Sequence, residues 1–255
     1  MAKRRKSTPG PYLLHAKVLW DRVPDATLYP FALPAVRGLA RLEFHPKVTF
    51  LVGENGAGKS TLLEAVAVAS GLNPEGGSRN FNFATRKSHS ALADYLRLAR
   101  PPATAADSYF LRAESFYNVA TNIEKLDRAR GPGPPVISAY GGTSLHEQSH
   151  GESFFALFRH RFGAHGLYLM DEPEAALSPA RQLQFLALLH QYLALGCQFV
   201  IATHSPIVLA YPDATIYQLD SEGLRAVAYT ATEHYQITRA FMSNPDRALR
   251  ELLAE

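Results

Sequence analysis

The run VTFLVGENGAGKS, residues 48–60, decides the fold. Val48-Thr49-Phe50-Leu51-Val52 is strand-forming and largely apolar. It enters Gly53-Glu54-Asn55-Gly56-Ala57-Gly58-Lys59-Ser60, and Thr61-Leu62-Leu63-Glu64-Ala65-Val66 continues with helical character. A G-x-x-x-x-G-K-[ST] pattern between a strand and a helix is the pattern of a phosphate cradle. Glycines at 53, 56 and 58 let successive backbone N–H groups curl round an anion without Cβ atoms intruding. The helix that follows aims its positive end at the same anion. Lys59 is placed to neutralise the β- and γ-phosphates, and the Ser60 hydroxyl to join a Mg²⁺ shell. The run therefore predicts a nucleoside triphosphate site.

Outward from that loop, a length of 255 residues with 47% hydrophobic side chains allows a sizeable core. The net charge is only +3, and much of the excess sits in Lys3-Arg4-Arg5-Lys6, read as solvated chain or as a contact for nucleic acid or an acidic partner. Ser7-Thr8-Pro9-Gly10-Pro11 follows those charges, where a secretory leader needs an apolar run of about 7–15 residues. No segment approaches the roughly 20 apolar residues of a membrane span. Cys197 is the only cysteine, so no intrachain disulfide forms. These features predict a reducing, cytoplasmic setting.

Before the loop, residues 12–20 and 40–44 read as strands packed beside the phosphate-loop strand. Between them lies Tyr29-Pro30-Phe31-Ala32-Leu33-Pro34, where Tyr29 or Phe31 either stacks on a base or packs in the core. After the loop, a helix over residues 60–70 ends at Gly71. Arg79 in the polar stretch 73–82 either reaches the phosphates or is solvated. Residues 91–100 read as helix, 108–113 as strand and 118–130 as helix, and Gly131-Pro132-Gly133-Pro134-Pro135 breaks the pattern. The second half reads helix 154–162, buried strand 166–170, helix 179–195 with Leu183, Leu186, Leu189, Tyr192 and Leu193 on one side, and buried strand 198–202. A hairpin round Asp220-Ser221-Glu222-Gly223 and two short helices split at Pro245 complete the chain. Continuous apolar strands alternating with helices predict a parallel sheet covered on both faces.

Two strand tips carry the remaining chemistry. The strand ending at Met170 delivers Asp171-Glu172-Pro173, at the end of an open sheet where ligands sit. Neighbouring side chains on a strand point to opposite sides, so Asp171 is assigned to the Mg²⁺ water shell and Glu172 to the attacking water. The strand 198–202 ends in Thr203-His204-Ser205-Pro206, which puts His204 within reach of a γ-phosphate. Ser149-His150-Gly151-Glu152 reads as a capping box, and a capped helix start with a glycine is also an anion site. Ser178-Pro179 reads as an N-cap followed by proline at the first helical position.

Taken together, these motifs resemble those of the ABC-type ATPases, in particular the soluble branch that includes RecF-like and SMC-like proteins. GENGAGKST (residues 53–61) is similar to their Walker A motif and LYLMDEPE (167–174) to Walker B with its catalytic glutamate, Glu172. Ala176-Leu177-Ser178-Pro179 stands where their D-loop does, and His204 where their switch histidine does. Ser149-His150-Gly151-Glu152 is similar to the signature motif, 22 residues before Asp171, with His150 in place of its first glycine. Glu114 stands where the family has its Q-loop glutamine and is the metal-contacting candidate there. Only 111 residues separate Lys59 from Asp171, too few for a long coiled-coil arm.

The resemblance implies an α/β P-loop NTPase fold, with a mostly parallel central sheet, flanking helices and an N-terminal antiparallel β part. One domain over residues 1–255 is expected, with a helical insertion between Walker A and Walker B at roughly 86–165. ATP would be held by Asn55, Gly56, Ala57, Gly58, Lys59, Ser60 and Thr61, and across a homodimer by Ser149 and Gly151 of the other subunit. Mg²⁺ would be held by Ser60, Asp171 and Glu114, and Glu172, His204 and Lys59 would act in hydrolysis. The ATPase cycle would act on DNA or an effector protein that the sequence does not identify. Two other readings stay open: the nucleotide-binding subunit of a membrane transporter, and an ATP-dependent switch with little turnover.

Overall fold

The computed structural model describes residues 10–78, 90–113, 116–128, 135–142, 144 and 150–254. The strands are β1 (His15–Val18), β2 (Leu42–Glu43), β3 (Val48–Gly53), β4 (Gly77–Ser78), β5 (Leu96–Ala99), β6 (Asp107–Arg112), β7 (Gly166–Asp171), β8 (Gln198–Ala202), β9 (Thr215–Asp220) and β10 (Gly223–Val227). The helices are α1 (Lys59–Ala69), α2 (Phe116–Arg128), α3 (His150–Ala156), α4 (Pro179–Ala194), α5 (Pro206–Leu209), α6 (Glu233–Ser243) and α7 (Pro245–Leu253).

Seven strands form the central sheet in the order β10-β9-β3-β8-β7-β6-β4. From β9 to β6 the pairs are parallel, and the two edge strands β10 and β4 run antiparallel. In β3, β7 and β8 every residue is buried, as strands covered on both faces must be. Alternation along each strand sorts side chains into two cores. Phe50, Tyr168, Met170, Phe199 and Ile201 pack with α2, α3 and α4 on one face. Leu51, Leu167, Leu169, Val200 and Ala202 pack with α1 and the N-terminal segment on the other. Within residues 86–165 the chain lays down β5 and β6 before α2 and α3.

Three readings of the sequence are corrected. Residues 12–20 and 40–44 do not line up beside β3, because β8 and β9 occupy both its edges. They supply β1 and β2, which join β5 in a separate antiparallel sheet ordered β2-β1-β5. Residues 91–100 are not a helix. A 3-10 turn, Ala91–Tyr95, is capped by the Ser90 hydroxyl accepting from Leu92 N–H, and β5 then pairs with β1. A short apolar run cannot by itself tell a strand from a helix, and the waiting partner β1 settles it. The inward side of α4 runs through Phe185 and Leu189, both fully buried, whereas Leu183 is 61% exposed. The helix expected at 154–162 is α3 continued by a π turn, Leu157–Arg161.

Gly53 shows how closely the sheet is built at the entrance to the loop. It pairs with Leu219 of β9, and a Cβ added there would meet the Leu219 carbonyl oxygen at 2.2 Å. Gly53→Ala is therefore expected to lower stability by roughly 1–3 kcal/mol through overpacking. Thermal unfolding without nucleotide checks this, at about 2–4 °C of Tm per kcal/mol for a chain of this size. An unchanged Tm would contradict the close approach.

Candidate functional site

The C-terminal ends of β3, β7 and β8 lie side by side, and the functional candidates gather there. β3 stops at Gly53, and Gly56 (φ 81°) and Gly58 (φ 96°) turn the chain through conformations that favour glycine. α1 starts at Lys59 with Gly58 as its N-cap, so no side chain satisfies its first N–H groups. These groups remain available to an anion in the loop. Lys59 is 4% exposed, and its Nζ donates to the carbonyls of Gly53 (2.7 Å) and Glu54 (3.0 Å). Burial holds its ammonium pKa below the usual lysine value, while Glu172 and Asp171 pull it back up. Asn55 and Gly56 are exposed on the crest of the loop.

Asp171 ends β7, in register with Ala202 on one side and Arg112 on the other. Its Oδ1 accepts from the Ser60 hydroxyl at 2.9 Å, joining the two strand-tip and helix-start oxygens assigned to Mg²⁺. Oδ2 lies 3.7 Å from Arg112 Nε, and Arg112 Nη1 donates to Glu64 Oε2 at 2.6 Å and to the Pro74 carbonyl at 3.1 Å. Glu64 Oε1 in turn accepts from the Ser90 N–H. An acid–arginine–acid line thus braces Asp171. The sequence reading missed Arg112 and Glu64. Two signals pointed to them: Arg112 ends the strand beside Walker B, and Glu64 lies one helical turn after Ser60.

Glu172 follows with φ 52° and ψ 53°, a left-handed conformation that is uncommon for a residue with a side chain. That turn takes Glu172 off the strand line, and its backbone N–H still donates to the Ala202 carbonyl. Its Oε1 is 3.3 Å from His204 Nε2. His204 follows β8, and its backbone N–H donates to Glu174 Oε1 at 2.6 Å. Burial pushes the Glu174 carboxyl pKa up. His204 Nδ1 meets Nε2 of His234, on α6, at 3.1 Å. Glu174 closes the 167–174 run with no role assigned to it from the sequence, and His234 belongs to none of the motifs.

Lys59, Ser60, Asp171, Glu172 and His204 therefore lie together at the ends of β3, β7 and β8. Thr61 faces Tyr29, whose hydroxyl lies 3.2 Å from Thr61 Oγ1. Of the two candidate aromatics, Tyr29 is 66% exposed beside the loop, while Phe31 is buried edge-on to Trp20 and Tyr95. Gly151 opens α3, which packs against the 3-10 turn Pro173–Ala176. Among the described residues no hydrogen bond joins Gly151 to the cluster round Lys59. Arg79, Glu114 and Ser149 lie outside the described residues. Among the described residues no three His, Cys, Asp or Glu side chains cluster in a way that would hold a metal alone. The Ser60–Asp171 oxygen pair fits Mg²⁺, which keeps several waters and takes further oxygens from substrate phosphates.

Two family models match the chain. One is described as "AAA domain" and covers residues 35–116. The other, "AAA domain, putative AbiEii toxin, Type IV TA system", covers 137–210. No curated protein matches at a significant level. Among solved structures, "An inward-facing conformation of a putative metal-chelate type ABC transporter" aligns with a TM-score of 0.50 and 15% identity, over 89% of this chain and 88% of that one. The SMC head domain from Thermotoga maritima aligns at 0.39 and 16%, over 73% and 92%. The cbiO1 subunit from Clostridium perfringens, part of the ABC transporter complex cbiONQ, aligns at 0.44 and 17%, over 83% and 90%.

Sheet order and phosphate loop define a P-loop NTPase fold, and the two AAA-domain matches fall on the parts of the chain that carry it. Among the described residues no helix is long and apolar enough to cross a membrane.

Proposed function

We propose that this protein hydrolyses ATP in a Mg²⁺-dependent reaction and closes as a homodimer on the nucleotide. The observation that carries the reading is the convergence of Lys59, Ser60, Asp171, Glu172 and His204 at three adjacent strand ends. Lys59 exchanges its two carbonyl acceptors for phosphate oxygens, and the Ser60–Asp171 pair opens to receive the hydrated ion. Mg²⁺ held by Ser60 and Asp171 would supply charge neutralisation during phosphoryl transfer. Glu172 accepts a proton from the attacking water, and His204 donates from Nε2 toward the terminal phosphate. Arg112 keeps Asp171 in place and balances its charge against Glu64. Tyr29 stands where its ring can cover the adenine.

The catalytic pair is open on one side: the side chain of Glu172 is 39% exposed and that of His204 28%. In the dimer, Ser149 and Gly151 of a second copy cover that side, presenting the start of α3 to the γ-phosphate. Loss of the γ-phosphate removes the bridge, so closure follows differential binding. A reducing cytoplasm suits the buried Cys197 thiol. The cycle acts on DNA or on an effector protein, and phosphate release with and without DNA separates the two.

The dimer is tested with Glu172→Gln in ATP, by light scattering after size exclusion. A species of twice the monomer mass is expected, and a monomer at saturating ATP rejects closure. Ser149→Arg in that background is expected to abolish the dimer while the monomer still binds ATP. A dimer that persists leaves Ser149 as a helix cap only.

A further inference from the structure

His234 stands in the first turn of α6, an element outside the motif-bearing sheet. Its position is set from two sides. Thr232 is fully buried and caps α6, accepting from Tyr235 N–H and donating to the Tyr229 carbonyl. Tyr229 donates to the Pro206 carbonyl at 2.9 Å and packs on Tyr235, with ring centroids 4.7 Å apart. Pro206 lies two residues after His204, so the start of α6 is tied to the loop that carries His204. That places His234 Nε2 3.1 Å from His204 Nδ1, with ring centroids 5.3 Å apart.

The order of donors follows from Glu172. Glu172 Oε1 lies 3.3 Å from His204 Nε2, a close contact short of an aligned hydrogen bond, and a carboxylate oxygen accepts, so the hydrogen of His204 belongs on Nε2. A neutral imidazole then has a bare Nδ1 that needs a donor. His234 Nε2–H is that donor. Burial, helped by the nearby Lys59 ammonium, holds both imidazoles below the usual histidine pKa, consistent with two neutral rings near pH 7.

We infer that His234 is a positioning residue: it donates to His204 Nδ1 and locks the tautomer in which His204 presents Nε2–H to Glu172 and the terminal phosphate. Without that donor, His204 takes a hydrogen on Nδ1 for water to accept, and its bare Nε2 lone pair faces anionic oxygens. This rests on the roles given above to Glu172 and His204. It adds a residue from the C-terminal helices to the machinery, and so makes the seating of α6 a determinant of turnover.

The test compares steady-state ATP hydrolysis by the full chain carrying His234→Ala, His234→Gln or His234→Leu. A tautomer that the second shell no longer fixes costs on the order of tenfold. Ala and Leu are expected to lower kcat by about that factor with KM for ATP little changed. Gln, whose side-chain amide returns an N–H near the lost Nε2, is expected to recover most of the rate. His204→Ala combined with His234→Ala is expected to be no slower than His204→Ala alone, as for residues acting through one group. Wild-type kcat in both the Ala and Leu variants, or additive losses in the double variant, overturns the assignment. So does a folded Gln variant as slow as Leu. If Ala fails to fold, Leu fills the space without a donor and carries the comparison with Gln. An active Glu172→Gln protein, or a wild type without turnover, defeats the reading of the site itself and the inference with it.

Discussion

Glu172→Gln is expected to leave ATP binding intact and to slow phosphate release by roughly 10²–10⁴-fold, the usual contribution of a positioned general base. Glutamine keeps the shape and the contact with His204 Nε2 but has no lone pair basic enough to take a proton from water. The backbone supports the substitution, because the left-handed conformation at 172 is held by the Glu172 N–H bond to Ala202 and by the 3-10 turn that starts at Pro173. Single-turnover phosphate release with saturating ATP reads the chemical step directly. Turnover equal to that of the wild type removes Glu172 as the base.

Lys59→Ala is expected to weaken ATP binding by roughly 10- to 10²-fold. That is the loss of one charge-assisted hydrogen bond of about 1.5–3 kcal/mol, at 1.4 kcal/mol per tenfold. The nucleotide-free fold has a reason to tolerate the change. Lys59 is a buried ammonium held, among the described residues, by two backbone carbonyls and the pull of nearby carboxylates, so its removal also relieves a desolvation cost. Thermal unfolding with and without ATP separates the two effects, since a ligand that binds only the native state raises Tm by mass action. The variant is expected to unfold near the wild-type temperature without ATP and to lose most of the ATP-dependent rise. A full rise in Tm with ATP rejects the phosphate role of Lys59.

The parts of the site carried by short contiguous runs were legible in the sequence. Gly53 to Ser60 dictates a loop by its own backbone needs, and Met170-Asp171-Glu172 and Ala202-Thr203-His204 each show an apolar run ending in polar groups. The same holds for α1, β6, α4 and the β9–β10 hairpin. What depended on distant pairing was not legible. β5 is a strand because β1 lies beside it, and β1 is excluded from the central sheet because β8 and β9 hold both edges of β3. Arg112 looked like the polar end of a strand until register placed it against Asp171. His234 had no motif round it, and only the folding back of α6 brings it to His204. Leu183 misled the reading of α4, because a leucine at helical spacing has no label saying which side of the stripe meets the core.

The pairing of β3 also sets an order of events during synthesis. Thr49 stands in register with Val200 and with Thr215, so the strand that feeds the loop waits for partners translated more than a hundred residues later. Until then a nascent chain emerging from the ribosome carries Val48–Val52 with two bare edges, the kind of segment that aggregates when left unpaired. Fragments that stop before Gln198 inherit that hazard, and nucleotide capture waits until β8 and β9 have been made.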